Sequence, residues 1–116
     1  MKWFVGMAAG FVMLTACVER KEKILGAPIQ GAVLQIVRIK ETAPDESIVV
    51  RGAMVEKCPV AGCWFLLRDD TGIIKVDTKN AGFVVVNVPL QTKLVVGGRV
   101  RTNGTERLID ATGIRY

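Results

Sequence analysis

The sequence contains no histidine. That absence excludes imidazole bases, His-ligated metal centres and the usual side-chain switch near neutral pH. Cysteine is scarce, with three residues, and only 6% of the chain is aromatic. Helical periodicity is almost missing, as are internal repeats and low-complexity tracts. The longest apolar run, residues 3–14, is about half of what a helix needs to cross a bilayer. No serine or cysteine has a partner base, and there is no recognisable Ser-Lys arrangement. Asp69 and Asp70 are adjacent, so their carboxylates diverge and suit a turn better than an acid/base pair. An enzyme is therefore not expected.

What remains is a small apolar chain. At 116 residues, half of them hydrophobic, it has material for one compact domain. The formal charge is +5; all 11 acidic residues and all but one of the 16 basic residues lie beyond Cys17. Such an excess is mild, and would at most hold the domain near an acidic surface.

The amino terminus reads as a processing signal. Lys2 precedes the apolar run, which ends in Leu14-Thr15-Ala16-Cys17. This ending resembles the signal of bacterial lipoproteins. The resemblance implies cleavage before Cys17 and acylation of that cysteine, because two or more acyl chains give lasting membrane attachment. An ordinary secretory signal or an uncleaved anchor is the alternative. The expected division is a signal over residues 1–16, lipidated Cys17 with a charged spacer to residue 26, and a domain over residues 27–116. Val18 stands where an Asp would resemble an inner-membrane retention signal, which favours the outer membrane, facing the periplasm.

The domain reads as short strands. Residues 32–39 fit either a strand or a short helical stretch, and their β-branched content favours the strand. Residues 48–58 form a Val-rich strand with a bend or bulge expected at Gly52. Residues 63–77 read as a hairpin turning at Asp69-Asp70-Thr71-Gly72. Residues 83–88 end at Pro89 and are either a short strand or a segment that plugs the sheet. Residues 94–102 and 108–114 form a last hairpin around Asn103-Gly104, with Gly97-Gly98 marking another bend.

Short strands with sharp bends call for an all-β fold, a small five-stranded barrel of the OB-fold (OB-like) kind. Residues 67–76 resemble the second-to-third-strand hairpin of OB domains of the tRNA-anticodon-binding type. Gly26-Ala27-Pro28-Ile29, Val50-Arg51-Gly52 and Cys58 with Gly62-Cys63-Trp64 resemble a group of uncharacterised bacterial envelope proteins. That resemblance implies a fold and no settled activity.

With Cys17 assigned to lipid, Cys58 and Cys63 remain as a pair flanking a four-residue Pro/Gly loop. Outside the cytoplasm a structural disulfide is the expected state. The sharper alternative is a thiol site, redox-active or binding Cu(I), with Met54 as a conceivable third soft ligand, although a Met there reads more readily as core. Zinc would want four ligands. Trp64 could stack a base or sugar, with Arg68, Lys75, Arg99, Arg101 and Arg107 supplying positive charge along one groove. Beside Cys63, however, Trp64 reads first as core packing against the disulfide. Single-stranded nucleic acid or an oligosaccharide is thus an alternative ligand, nucleic acid being disfavoured in an envelope. The leading expectation is a non-catalytic binding or accessory module whose partner is an envelope protein or small ligand.

Overall fold

The computed structural model describes residues 22–116. The expected signal, Cys17 and the start of the spacer lie outside the described residues. Two short strands come first, β1 (Ile24–Gly26) and β2 (Val33–Leu34), followed by a 3-10 turn over Ile36–Glu41. Then come β3 (Ser47–Lys57), β4 (Trp64–Asp69), β5 (Gly72–Asp77), a second 3-10 turn over Lys79–Ala81, β6 (Lys93–Asn103) and β7 (Glu106–Arg115).

The five longer strands close on themselves. β3 pairs antiparallel with β4, and β4 with β5; β5 runs parallel to β7, β7 antiparallel to β6, and β6 returns to β3. Among the described residues no long strand is left with an open edge. This closure removes the pairing hazard that a small open sheet would carry. The fold is thus an all-β, five-stranded OB-like barrel, as the strand pattern indicates.

Alternation along the strands fills the interior. Val50 and Met54 of β3, Phe65 and Leu67 of β4, Val76 of β5, Val96 and Val100 of β6, and Ile109 and Ile114 of β7 are fully buried. Each such side chain contributes about 1.5–3 kcal/mol relative to exposure. Two irregular segments cover the barrel ends. Val85 and Val88 are buried in the segment before β6, beside the β3–β4 loop, to which Val85 donates its N–H at Gly62 O over 2.9 Å. Ile36 and Ile39 are buried at the other end, beside the β4–β5 turn.

Three expectations need correction. Residues 32–39 are strand only at Val33–Leu34; the Ile36–Glu41 turn replaces the rest. Its first N–H groups are taken by side chains of the β4–β5 turn, Ile36 N–H by Asp69 at 2.9 Å and Val37 N–H by Thr71 at 3.1 Å. The β3 irregularity lies between Met54 and Glu56 rather than at Gly52. Gly52 is required for close approach instead, because a Cβ there would sit 2.4 Å from the carbonyl oxygen of Arg68. Finally, the last three residues of the expected spacer are β1, paired with Gly113–Arg115 of β7. Residues 83–88 take the covering role rather than the strand.

Candidate functional site

The outward face of β4 and β5 is built by the alternation that fills the core. Phe65, Leu67, Ile74 and Val76 point in, so Trp64, Leu66, Arg68, Ile73 and Lys75 point out. The strands pair Leu66 with Lys75 and Arg68 with Ile73. Trp64 is half-exposed, and the Lys75 ammonium lies 5.3 Å from its ring centroid. The expectation that Trp64 packs into the core is therefore corrected: its neighbour Phe65 takes the interior position. A cation over an indole face at this distance is attracted by the ring quadrupole.

Positive charge continues across β3 to β6. Ala53 of β3 faces Arg68 on one side and Lys93 of β6 on the other. Arg51, two residues earlier on β3, shares that face, and the three cations line a cleft with Leu34 and Asp70. Arg51, Arg68, Lys75 and Lys93 make no ion pair among the described residues. The small side chain at Ala53 leaves the space between them open.

The other arginines named from the sequence lie elsewhere. Arg101 is committed to Asp77 at 2.8 Å and Asp110 at 3.4 Å. Burial alone would raise the Asp77 carboxyl, but the Lys79 N–H and Arg101 outweigh it and hold Asp77 below the usual carboxylate range. Arg99 is exposed beside Asp110 and Asn80 in a separate cleft. Arg107 donates to the carbonyl of Thr42, fastening the loop before β3 to β7. Of the six binding residues expected from the sequence, Trp64, Arg68 and Lys75 share one face, and Arg99, Arg101 and Arg107 do not. Arg51 and Lys93 complete that face, and only the pairing of distant strands reveals them.

The two cysteines stand at the barrel end, where Cys58 and Cys63 are free thiols, both partly exposed. Lys57 pairs with Phe65, and Cys58 N–H donates to Trp64 O over 3.1 Å, so Cys58 faces Trp64 and Cys63 lies one residue along. The Cys58 sulfur stands at the start of the four-residue loop and Cys63 at its end. The N–H groups of Ala61 and Val60 at that sulfur pull the Cys58 thiol down to about 7; Gly62 and Cys63 add to this and partial burial opposes it. The loop is held from below. Gly62 has φ +59°, and a Cβ there would approach Val86 N to 2.6 Å. Lys57 Nζ donates to Val86 O at 2.9 Å and Val88 O at 2.5 Å, and Thr78 N–H to Cys63 O at 2.8 Å.

Met54 does not join the thiols. It is buried in the barrel opposite Leu67, about 13 Å along the strand from Cys58 at the usual rise per residue. Among the described residues no group of three or more His, Cys, Asp or Glu side chains is placed to hold a metal ion.

No protein-family model matches the chain, and no curated protein matches it. Among solved structures, the hypothetical protein ygiW from E. coli is similar, with a TM-score of 0.59 and 23% sequence identity over 73% of this chain and 89% of that chain. At that identity the likeness concerns the fold, and what this chain shares with it is a small barrel.

Proposed function

We propose that the chain is a membrane-anchored envelope lipoprotein whose barrel is a non-catalytic binding module for an anionic ligand. The observation that supports this reading is the outward face of β3 to β6. There Arg51, Arg68, Lys75 and Lys93 have no acidic partner among the described residues, and Trp64 offers a flat apolar surface beside them. Cations that are neither paired nor buried recognise anions at little desolvation cost, and an aromatic plane adds contact with a sugar or base. The acyl anchor rests on Leu14-Thr15-Ala16-Cys17 in the sequence.

Two measurements test the two halves. Labelled palmitate is expected on the wild-type chain in envelope fractions and absent from Cys17→Ser, and equal labelling of both would refute the anchor. For the barrel, an acidic oligosaccharide and a single-stranded oligonucleotide are titrated separately at low salt. Arg68→Glu combined with Lys93→Glu is expected to weaken binding of the competent ligand at least about 10-fold, with affinity falling as salt rises. Binding unchanged by the double reversal, or insensitive to salt, would refute the anionic reading. Preference between the probes then separates carbohydrate from nucleic acid.

A further inference from the structure

We propose that the barrel end formed by the β3–β4 loop and residues 78–92 docks on the surface of a bilayer with anionic headgroups. It rests on the acyl anchor proposed above, and names the face of the domain that meets the lipid.

The topology places the amino-terminal chain at this end. β3, β5 and β7 run toward it, and β4, β6 and β1 start from it, since Trp64 faces Asp77, Lys93 faces Ala53 and Ile24 faces Arg115. Lys23, just before β1, bonds with Tyr116 there. Six residues lead from Cys17 to Lys23, a span of at most about 22 Å when fully extended. An acyl chain on Cys17 therefore holds this end of the barrel within that distance of the headgroups.

The segments covering the same end present apolar side chains outward. Val85 and Val88 are buried, whereas Val84, Val86 and Leu90 are exposed, and Val60 of the β3–β4 loop is 88% exposed. Loop and segment are bonded into one surface, Val85 N–H to Gly62 O and Lys57 Nζ to Val86 O, each over 2.9 Å. Phe83 lies beside Gly26, where a Cβ would come within 2.7 Å of the ring, so this surface adjoins the strand that the tether enters.

Charge separates the two ends as well. Residues 58–63 and 78–92 contain Lys79 and no acidic residue. Around them Lys23, Lys79, Lys93 and Arg115 outnumber the exposed acids Glu22 and Glu56. At the far end, residues 35–46 and 69–72 carry Glu41, Asp45, Glu46, Asp69 and Asp70 against Arg38 and Lys40. A negative lipid surface attracts the first end and repels the second. The exposed valines and Leu90 then gain by entering the boundary between headgroups and acyl chains. Within reach of the tether the docking is intramolecular, so a modest affinity suffices.

The acylated chain, purified from envelopes and reconstituted in vesicles of phosphatidylcholine and phosphatidylglycerol, tests this by quenching with brominated lipid. In a Trp64→Phe background, Val60→Trp reports on the tether end and Thr105→Trp on the far end. Val60→Trp is expected to be quenched at least about 5-fold more than Thr105→Trp, because shallow insertion reaches one end only. Adding Val84→Glu with Val86→Glu is expected to abolish that difference. Val60, Val84, Val86 and Thr105 are all exposed, so the fold tolerates these changes. Equal quenching at the two ends, or a difference that survives the double substitution, overturns the docking. So does a Val60→Trp signal shielded from aqueous iodide yet unquenched by brominated lipid, which means that a second copy or a partner protein covers this end. The mass of the amino-terminal peptide separates this failure from that of the anchor. A chain without acyl groups on Cys17 overturns both, and an acylated but unquenched one overturns the docking alone.

Discussion

Phe65→Ala is expected to destabilise the domain by about 3–5 kcal/mol, a loss that leaves a barrel this small mostly unfolded at physiological temperature. Phe65 is the largest fully buried side chain among the described residues, and it sits opposite Val76 on β5 in the closed sheet. Removing the ring leaves a void that the surrounding strands cannot collapse, because each is held by partners on both sides. Trp64→Ala, one residue away but outward, is expected to cost far less and to act on ligand binding instead. Urea denaturation of the two variants checks the contrast. Equal losses would mean that the assignment of inward and outward faces on β4 is wrong.

Asp69→Ala should carry the second-largest penalty, about 2–3 kcal/mol, despite removing no core volume. Its carboxylate accepts Thr71 N–H at 2.7 Å, the Thr71 hydroxyl at 2.6 Å, Gly72 N–H at 3.1 Å and, across the barrel end, Ile36 N–H at 2.9 Å. One side chain thus closes the β4–β5 turn and starts the turn that buries Ile36 and Ile39. Burial alone would raise this carboxyl, but Thr71, Ile36 and Gly72 together hold it below its ordinary value of 3.8. For an acid whose folded value is depressed, the associated stability is complete above the unfolded value and is lost as pH falls through the folded one. Acid titration of stability should therefore drop below about pH 4 in the wild type and less steeply in Asp69→Ala. Identical acid limbs would show that the bonds to Asp69 do not contribute.

These two residues also mark what was legible in the chain. β3 to β7 follow from local signals, since β-branched alternation and the turn residues at Asp69–Gly72 and Asn103-Gly104 each act within one hairpin. Between adjacent aromatics, parity alone does not say which faces in. Phe65 rather than Trp64 points inward because it shares the parity of Leu67, which pairs with the buried Met54 of β3. The turn over Ile36–Glu41 takes up most of residues 32–39, whose β-branched content favours a strand, because its N–H partners come from Asp69 and Thr71, more than thirty positions away. Likewise, Arg51 and Lys93 became site residues only through β3–β6 pairing around Ala53. The cysteine loop was legible as a pair of sulfurs in proximity.

Lys23 and Tyr116 exchange backbone hydrogen bonds of 2.7 and 2.9 Å at the outer end of the β1–β7 pair. Both ends of the domain consequently leave from one corner. A reporter appended after Tyr116 would sit beside the chain where it enters at Lys23, whereas a permuted chain joined across that corner and reopened at Gly104 would carry its cargo on the far side.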